Sequence, residues 1–547
     1  MTEKDIDYDT FTKEFEKNKG KDWREWLEYD ESFNKSGKQG LVGIMQLKNK
    51  KDAKCIFKLS QYVNYLVQHE GNVMDSLNKI ADYCPHFCRS IGRITTDVNS
   101  HAKKGDNPFN LNVKYPIKKD VLLCENIDKS KKFTSYIKDK SVNENIIFSA
   151  IKQIMMALCI SQKAKKFTHY DLHSCNVMMK KCDPNTVFLY VLDEENQFCV
   201  PTYGYCPVII DFGFSHVGDF NGDHAWSSFG FTDIGFTSDR FDSMSDPKLF
   251  LVTVSSELKE KRKSENVKIF RNIVKNIFSP LKIDWESGWN DLRMSSASNS
   301  VLDFLDTYNT TSDLFKNKGH YLMDILQTLI VLPLKPQKYS DMGIIFGAFL
   351  KEWIKIEREF SDNTQCIYIF KCMVDSARSV RDKYSDQKQR EKAVDEFTHK
   401  MYDTILSISK FCSPKPPKFE VILCSLFVLA KNIEGMLYDI MQKYTKEREK
   451  EYKKMPLQTV EKIYAAIESN ITSEYTFDEK TTVVVFDCVK QKTFMFKPKP
   501  NHIEIINTVL PIYRGTVLYD VYNGKEPEVV LEEDEEDEED EEEEDSE

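Results

Sequence analysis

Eight consecutive residues, His169-Tyr170-Asp171-Leu172-His173-Ser174-Cys175-Asn176, gather a carboxylate, two imidazoles and a carboxamide in one short stretch. A second carboxylate, Asp211, follows the apolar run Val208-Ile209-Ile210 and precedes Phe212-Gly213. Lys58 lies inside the apolar Cys55-Ile56-Phe57-Lys58-Leu59, and Glu70 falls among Leu66, Val73 and Leu77 at helical spacing. An unpaired charge on a buried face is costly, so those neighbours pair Glu70 with Lys58. Phosphoryl transfer asks little covalent work of a protein. It needs a cradle for phosphates, positive charge against them, metal ligands and a group that orients the attacking hydroxyl. The chain offers one candidate for each part, in a fixed order.

The cradle is the least specific of these. Gly37, Gly40 and Val42 fit the second glycine, third glycine and valine of Gly-x-Gly-x-x-Gly-x-Val, while Lys35 occupies the place of the first glycine. Glycines let backbone N–H groups approach phosphate with no Cβ in the way. A plain hairpin turn explains the same residues equally well. No Gly-x-x-x-x-Gly-Lys-Ser/Thr loop occurs, which argues against a P-loop nucleotidase.

The elements that must position these groups follow from pattern. Residues 1–32 read as a charged helical extension anchored by Phe11, Phe15, Trp23, Trp26 and Leu27. Strand patterns at Ile44–Leu47 and Cys55–Leu59 flank the glycines, and a helix runs through Leu66–Ile80. Val121–Cys124 reads as a buried strand, and Asn143–Lys165 as a helix with Ile147, Ile151, Ile154 and Leu158 on one face. Short apolar strands at Asn176–Met179 and Val208–Ile210 bracket a β-rich insert, 180–206. Helical patterns dominate beyond Phe241, up to the linker Ser413-Pro-Lys-Pro-Pro-Lys418. A largely helical extension with one hairpin, Thr482–Lys497, follows. Strands with one helix, then helices, suit an α+β arrangement rather than repeated βαβ units.

His169–Asn176 matches His-Arg-Asp-x-x-x-x-Asn, and Val208–Gly213 matches an apolar strand ending in Asp-Phe-Gly. With these motifs the chain resembles the eukaryotic-type protein kinases, above all the divergent serine/threonine kinase-like proteins of large nucleocytoplasmic DNA viruses. The resemblance implies a two-lobed kinase-like fold. Its β-rich N-lobe would span 33–128 and its helical C-lobe 129–412, followed by an extension, 413–530, and an acidic tail, 531–547. It implies ATP and Mg²⁺ as cofactors and a protein hydroxyl as acceptor. Asp171 would orient and deprotonate that hydroxyl, and Asn176 and Asp211 would hold the magnesium. Lys58 would hold the α/β-phosphates, with Glu70 as its ion-pair partner. Glu125 through Ile127 would line the adenine-binding hinge, with Cys124 behind it, and Asp246 would anchor the catalytic-loop backbone. Tyr170 stands where many kinases carry the arginine that receives an activation-loop phosphate, so activity independent of such phosphorylation is expected. His173 replaces the lysine of serine/threonine kinases, which leaves the acceptor type open, and no Ala-Pro-Glu motif follows Asp211. A small-molecule phosphotransferase of the aminoglycoside or choline kinase type also uses Asp-Leu-His-x-x-Asn. A catalytically weak scaffold in a virus particle is the third reading.

Composition fits these readings. An apolar fraction of 41% supports a sizeable core, and the charged N-terminus does not read as a signal peptide. The fourteen cysteines are dispersed through a long chain, so reduced thiols in an intracellular protein are expected, in the host cytoplasm if viral or packaged in the virion. Cys84-Pro-His-Phe-Cys88 reads as packing rather than half a zinc site. The net charge of −11 arises in the tail, where fifteen of the sixteen residues Glu532–Glu547 are acidic. Without them 76 basic residues face 72 acidic ones, a body near neutrality that shows no nucleic-acid specificity. The tail reads as a solubilising segment or as a docking arm for a basic protein surface. No apolar run is expected to span a membrane.

Overall fold

Alternation along the early strands sets up the first layer. In a computed structural model, residues 6–281 and 449–527 are described, apart from 37–39, 61–63, 99–108, 110–116, 128–129, 219–229, 233–234, 238–240, 451 and 472–474. Strands β1 (Leu27–Ser36), β2 (Gly40–Leu47), β3 (Lys50–Ser60), β4 (Ser90–Val98) and β5 (Ile117–Glu125) form an antiparallel sheet in the order β1-β2-β3-β5-β4. Side chains on a strand point alternately to opposite faces. Phe57, Leu59, Val121 and Leu123 therefore share one face with Phe11, Phe15, Trp23 and Trp26, the first two carried on helix α1 (Ile6–Lys17). Leu122 and Cys124 point the other way, toward helix α2 (Asn64–Asn78). Lys58, between Phe57 and Leu59, must also face α2. β1 begins inside the segment expected to be a helical extension. Its charged residues Glu28, Asp30 and Glu31 conceal a strand that pairing with β2 creates.

The second layer is built around helix α4 (Glu144–Lys165), preceded by the short α3 (Phe133–Lys138). Asn143 caps α4 by accepting from the Asn145 N–H, and the chain leaves through Lys166 at φ 49°. α4 is long and apolar enough to cross a membrane, yet 83% of its apolar window is buried inside the fold, so it serves as a core helix. Strands β6 (Lys131–Lys132), β7 (Val177–Lys181) and β10 (Tyr205–Ile209) form a small sheet beside it. Strands β11 (Gly230–Thr232) and β12 (Gly235–Thr237) pair with each other. Helices α5 (Ser245–Lys261) and α6 (Glu265–Phe278) complete the layer, giving a mixed α/β architecture with a β-rich N-terminal region.

The insert forms a hairpin, β8 (Thr186–Val191) and β9 (Gln197–Pro201). Its partner comes from the far end of the chain. Strand β13 (Thr482–Asp487) pairs in parallel with β8, and β14 (Lys492–Phe496) closes a four-stranded sheet, β14-β13-β8-β9. Helix α7 (Val460–Asn470) lies against α4, where the Lys152 ammonium sits 2.5 Å from Glu468 and donates to the Ile471 carbonyl at 2.8 Å. Helices α8 (Pro500–Thr508) and α9 (Arg514–Tyr522) cover the outer face of the sheet. Gly515 allows this close approach, since a Cβ there would lie 2.2 Å from the Gln197 carbonyl oxygen. The hairpin expected at Thr482–Lys497 is present as β13 and β14, and the extension shares its core with the rest of the chain. The linker at 413–418, the helix expected near 421–444 and the acidic tail lie outside the described residues.

Candidate active site

β3 and α2 bring the first charged pair together. The Lys58 ammonium donates to Glu70 Oε1 at 2.5 Å and to Asp211 Oδ1 at 3.3 Å. Glu70 Oε1 also accepts the backbone N–H of Phe212 at 3.1 Å, which ties α2 to the segment after β10. Burial disfavours the ammonium, but Asp211 and Glu70 outweigh it and raise the Lys58 pKa. Burial raises that of Glu70, with Lys58 opposing. The Lys58 charge holds Asp211 below the usual carboxylate range, keeping it ionised.

The loop from His169 to Asn176 is fixed by backbone hydrogen bonds to a buried carboxylate. Asp246, in the first turn of α5, accepts from the N–H groups of His169 at 2.7 Å and Tyr170 at 2.9 Å. Those bonds hold Tyr170 at φ 64°, a left-handed conformation costing a side-chain-bearing residue about 1–2 kcal/mol. Asp211 is likewise at φ 73°. Strain of this kind persists where surrounding contacts enforce it, and here it clusters at two adjacent segments. Phe212, fully buried, packs against His169, Phe87 and Phe167.

Asp171 and Asn176 face each other across the loop. The Asn176 carboxamide donates to the Asp171 carbonyl at 2.9 Å and to Asp171 Oδ2 at 3.1 Å. Asp171 Oδ1 is buried and accepts no hydrogen bond among the described residues. Burial and the charge of Asp211 push the Asp171 carboxyl well above its ordinary range. His169 Nδ1 accepts the Asp171 N–H at 3.2 Å while Nε2 donates to the Ile210 carbonyl at 3.0 Å. His173 Nδ1 accepts the Cys175 N–H at 3.2 Å, and its Nε2 lies 3.6 Å from Asp171 Oδ1. Burial lowers both imidazoles to about 4, so each is neutral near pH 7.

The structure brings Lys58, Glu70, Asp171, Asn176 and Asp211 to one place. Gly40 and Val42 lie on β2, with Val42 paired to Lys58 in register, while Gly37 falls outside the described residues. Cys124 is buried on β5 with its thiol 3.8 Å from Met74 Sδ. The Glu125 carboxylate is held by Arg89 at 2.5 and 2.6 Å, and its N–H donates to the Arg89 carbonyl at 3.0 Å. Ile127 is half-buried and accepts from Ser130 at 2.5 Å. Cys84 and Cys88 pack in the core around His86, whose ring nitrogens meet the Pro207 carbonyl at 2.9 Å and the Tyr190 hydroxyl at 2.8 Å. Thr232 and Thr237 fall on β11 and β12, and Ser238 lies outside the described residues.

Several contributors carried no signal in the sequence. Arg89 reaches Glu125, and the Arg89 guanidinium stacks 3.7 Å above the Tyr8 ring of α1. Glu257 of α5 accepts from Ser174 in the loop at 2.7 Å and from Thr134 at 3.3 Å. The Tyr452 hydroxyl donates to Asp242 at 3.0 Å, and Asp242 accepts from Met244 and Ser245 N–H groups at the start of α5. Each joins segments far apart in the chain, beyond the reach of periodicity or motif spacing.

No known family model matches the chain. It is 27% identical to "Uncharacterized protein 098R" of Invertebrate iridescent virus 6, over 84% of this chain and 85% of the relative. Against "Uncharacterized protein 038R" of Invertebrate iridescent virus 3 the identity is again 27%, over 81% and 84%. "Probable kinase 098L" of Invertebrate iridescent virus 3 is 26% identical over 35% of this chain and 32% of its own length. Among solved structures, WaaP in complex with acyl carrier protein aligns at 9% identity and a TM-score of 0.27, covering 48% of this chain and 84% of that one. The chain is thus related to iridescent-virus proteins, one of which is named a probable kinase.

Proposed function

We propose that this chain is an ATP- and magnesium-dependent protein kinase of a virus, transferring the γ-phosphoryl group to a serine or threonine hydroxyl. One observation carries the reading: the Lys58–Glu70 pair, the carboxylate of Asp211 and the Asp171–Asn176 pair converge from segments spread over 153 residues. The relative named a probable kinase supports phosphotransfer. Lys58, oriented by Glu70, would neutralise the α/β-phosphates. Asp171 Oδ1, buried without a hydrogen-bond partner among the described residues, would take the acceptor's proton. Burial raises its pKa above the ordinary carboxylate range, which makes the carboxylate a stronger base. The Glu125 N–H is already engaged by Arg89 and the Ile127 carbonyl by Ser130, which leaves the Ile127 N–H to read the adenine edge.

The residues present fit magnesium. Asn176 uses its NH₂ on Asp171, so its carbonyl oxygen is the atom that would meet the metal, and Asp211 keeps a second carboxylate oxygen beyond the one at Lys58. Among the described residues no cluster of three His, Cys, Asp or Glu side chains forms a metal cage. Magnesium takes one or two protein oxygens and draws the rest from phosphates and water. Held by Asn176 and Asp211, it would supply positive charge against the negative charge of the phosphates. The acidic tail would serve as a docking arm for a basic protein partner.

The test is transfer of labelled phosphate from ATP with magnesium to the chain itself or to a basic generic protein. Asp171→Asn should reduce it by roughly 10² or more. Equal transfer by both proteins refutes the assignment. Transfer to small-molecule acceptors alone would replace it with the aminoglycoside or choline kinase reading. Nucleotide binding without transfer would make the chain a scaffold.

A further inference from the structure

The loop from His169 to Asn176 uses its two imidazoles in the same way. At His169, Nδ1 accepts a backbone N–H, that of Asp171, so the ring proton sits on Nε2 and donates to Ile210. At His173, Nδ1 accepts the Cys175 N–H, so the ring proton again sits on Nε2. That second N–H lies 3.6 Å from Asp171 Oδ1. The oxygen it faces is the buried one that accepts no hydrogen bond among the described residues. A buried carboxylate oxygen left without a donor is costly, and hydrogen bonds at catalytic groups are often long before substrate binds and tighten in the complex. One imidazole therefore holds the amide of Asp171 and the other faces its carboxylate.

We propose that His173 is a positioning residue that acts through Asp171 as a neutral hydrogen-bond donor, not as a cation on the transferred phosphate. Asn176 already holds Oδ2, and His173, closing from 3.6 Å onto Oδ1 as substrate binds, would hold the other side, fixing the carboxylate plane while a lone pair stays open for the acceptor hydroxyl. Locked in this tautomer, His173 cannot itself be the base, because its only basic nitrogen is occupied by Cys175. The inference rests on the phosphotransferase reading above and departs from the cationic role that a lysine would have at the same position.

Three substitutions separate the possibilities. His173→Gln places an amide donor near the Nε2 position and loses the acceptor for Cys175. His173→Asn keeps that acceptor and loses the donor. His173→Lys supplies a cation. Turnover and KM for ATP and acceptor are measured on the full chain, with thermal melting as the control for folding. The glutamine variant should stay within about threefold of wild-type turnover. The asparagine variant should melt like wild type yet lose roughly ten- to a hundredfold in kcat, with KM for ATP unchanged. The lysine variant should fall with asparagine. Full activity in the asparagine variant overturns the proposal, as does full activity in the lysine variant alongside an inactive glutamine variant. If wild type transfers no phosphate, the phosphotransferase reading itself fails and takes this inference with it. If wild type transfers, Asp171→Asn does not and His173→Asn does, only the role of His173 is lost.

Discussion

The ion pair between α4 and α7 gives the sharpest test of how the C-terminal segment is held. Lys152 is 0% exposed and Glu468 only 4%, and the ammonium lies 2.5 Å from the carboxylate. Glu468→Leu would leave a buried ammonium without its counter-charge, and Lys152→Met would leave a buried carboxylate. Breaking a buried pair from one side costs about 3–5 kcal/mol, roughly a hundred- to several-thousand-fold in the folding equilibrium. The double variant removes both charges into surroundings that include Tyr464, Ile467 and Met155, all in the core cluster. It should therefore return to within about 1 kcal/mol of wild type. The assay is guanidinium unfolding of the full chain followed by tryptophan fluorescence and circular dichroism, comparing midpoints at constant slope. Single variants that lose less than about 1 kcal/mol would show the pair behaving as a solvated surface contact, and the docking of α7 on α4 would be refuted.

Two further predictions follow from buried groups. Burial lowers His86 to about 4 from the ordinary 6.5, so the unfolded chain binds a proton there that the folded chain refuses. The resulting stability is intact above pH 6.5 and lost as pH falls through about 4, to a total of about 3 kcal/mol. His86→Gln should flatten the acid slope of stability by that amount, and an unchanged slope would disprove it. Tyr452→Phe removes a hydroxyl 3.0 and 3.2 Å from the two oxygens of Asp242, at a cost of about 1.5–3 kcal/mol. Because Asp242 holds the first N–H groups at the start of the helix that carries Asp246, amide exchange at His169 and Tyr170 should quicken in this variant. Wild-type protection there would sever the proposed link.

What the sequence disclosed is the local chemistry. Asp171, Asn176 and Asp211 stand at short spacings beside apolar strands, and Lys58 and Glu70 fall on faces that alternation and helical period assign. Strand β3 turns Lys58 toward α2 because Phe57 and Leu59 turn away, a deduction available before any coordinates. Hidden from it were the pairings set only in three dimensions. β1 is masked by its charges, Arg89 meets Glu125 across 36 positions, and Tyr452 meets Asp242 across 210. Nothing in the Val-rich run Thr482–Asp487 says that its second neighbour, opposite β14, is the insert. Pattern gives a strand its faces, but its partner is chosen by the whole fold.

That parallel pairing of β13 with β8 has a consequence for the timing of synthesis. Thr186 meets Thr482, which lies 296 positions further along the chain. During translation at about 5–20 residues per second, β8 emerges with one edge unmet and waits roughly 15–60 seconds before its partner exists. An unmet edge next to a hairpin as apolar as Val187, Phe188, Leu189 and Tyr190 invites pairing with other chains. A nascent chain halted before β13 is therefore a candidate for chaperone capture and aggregation rather than a shortened enzyme. The C-terminal strands act as a completion signal, so that the polypeptide must be made through β13 before its interior can close.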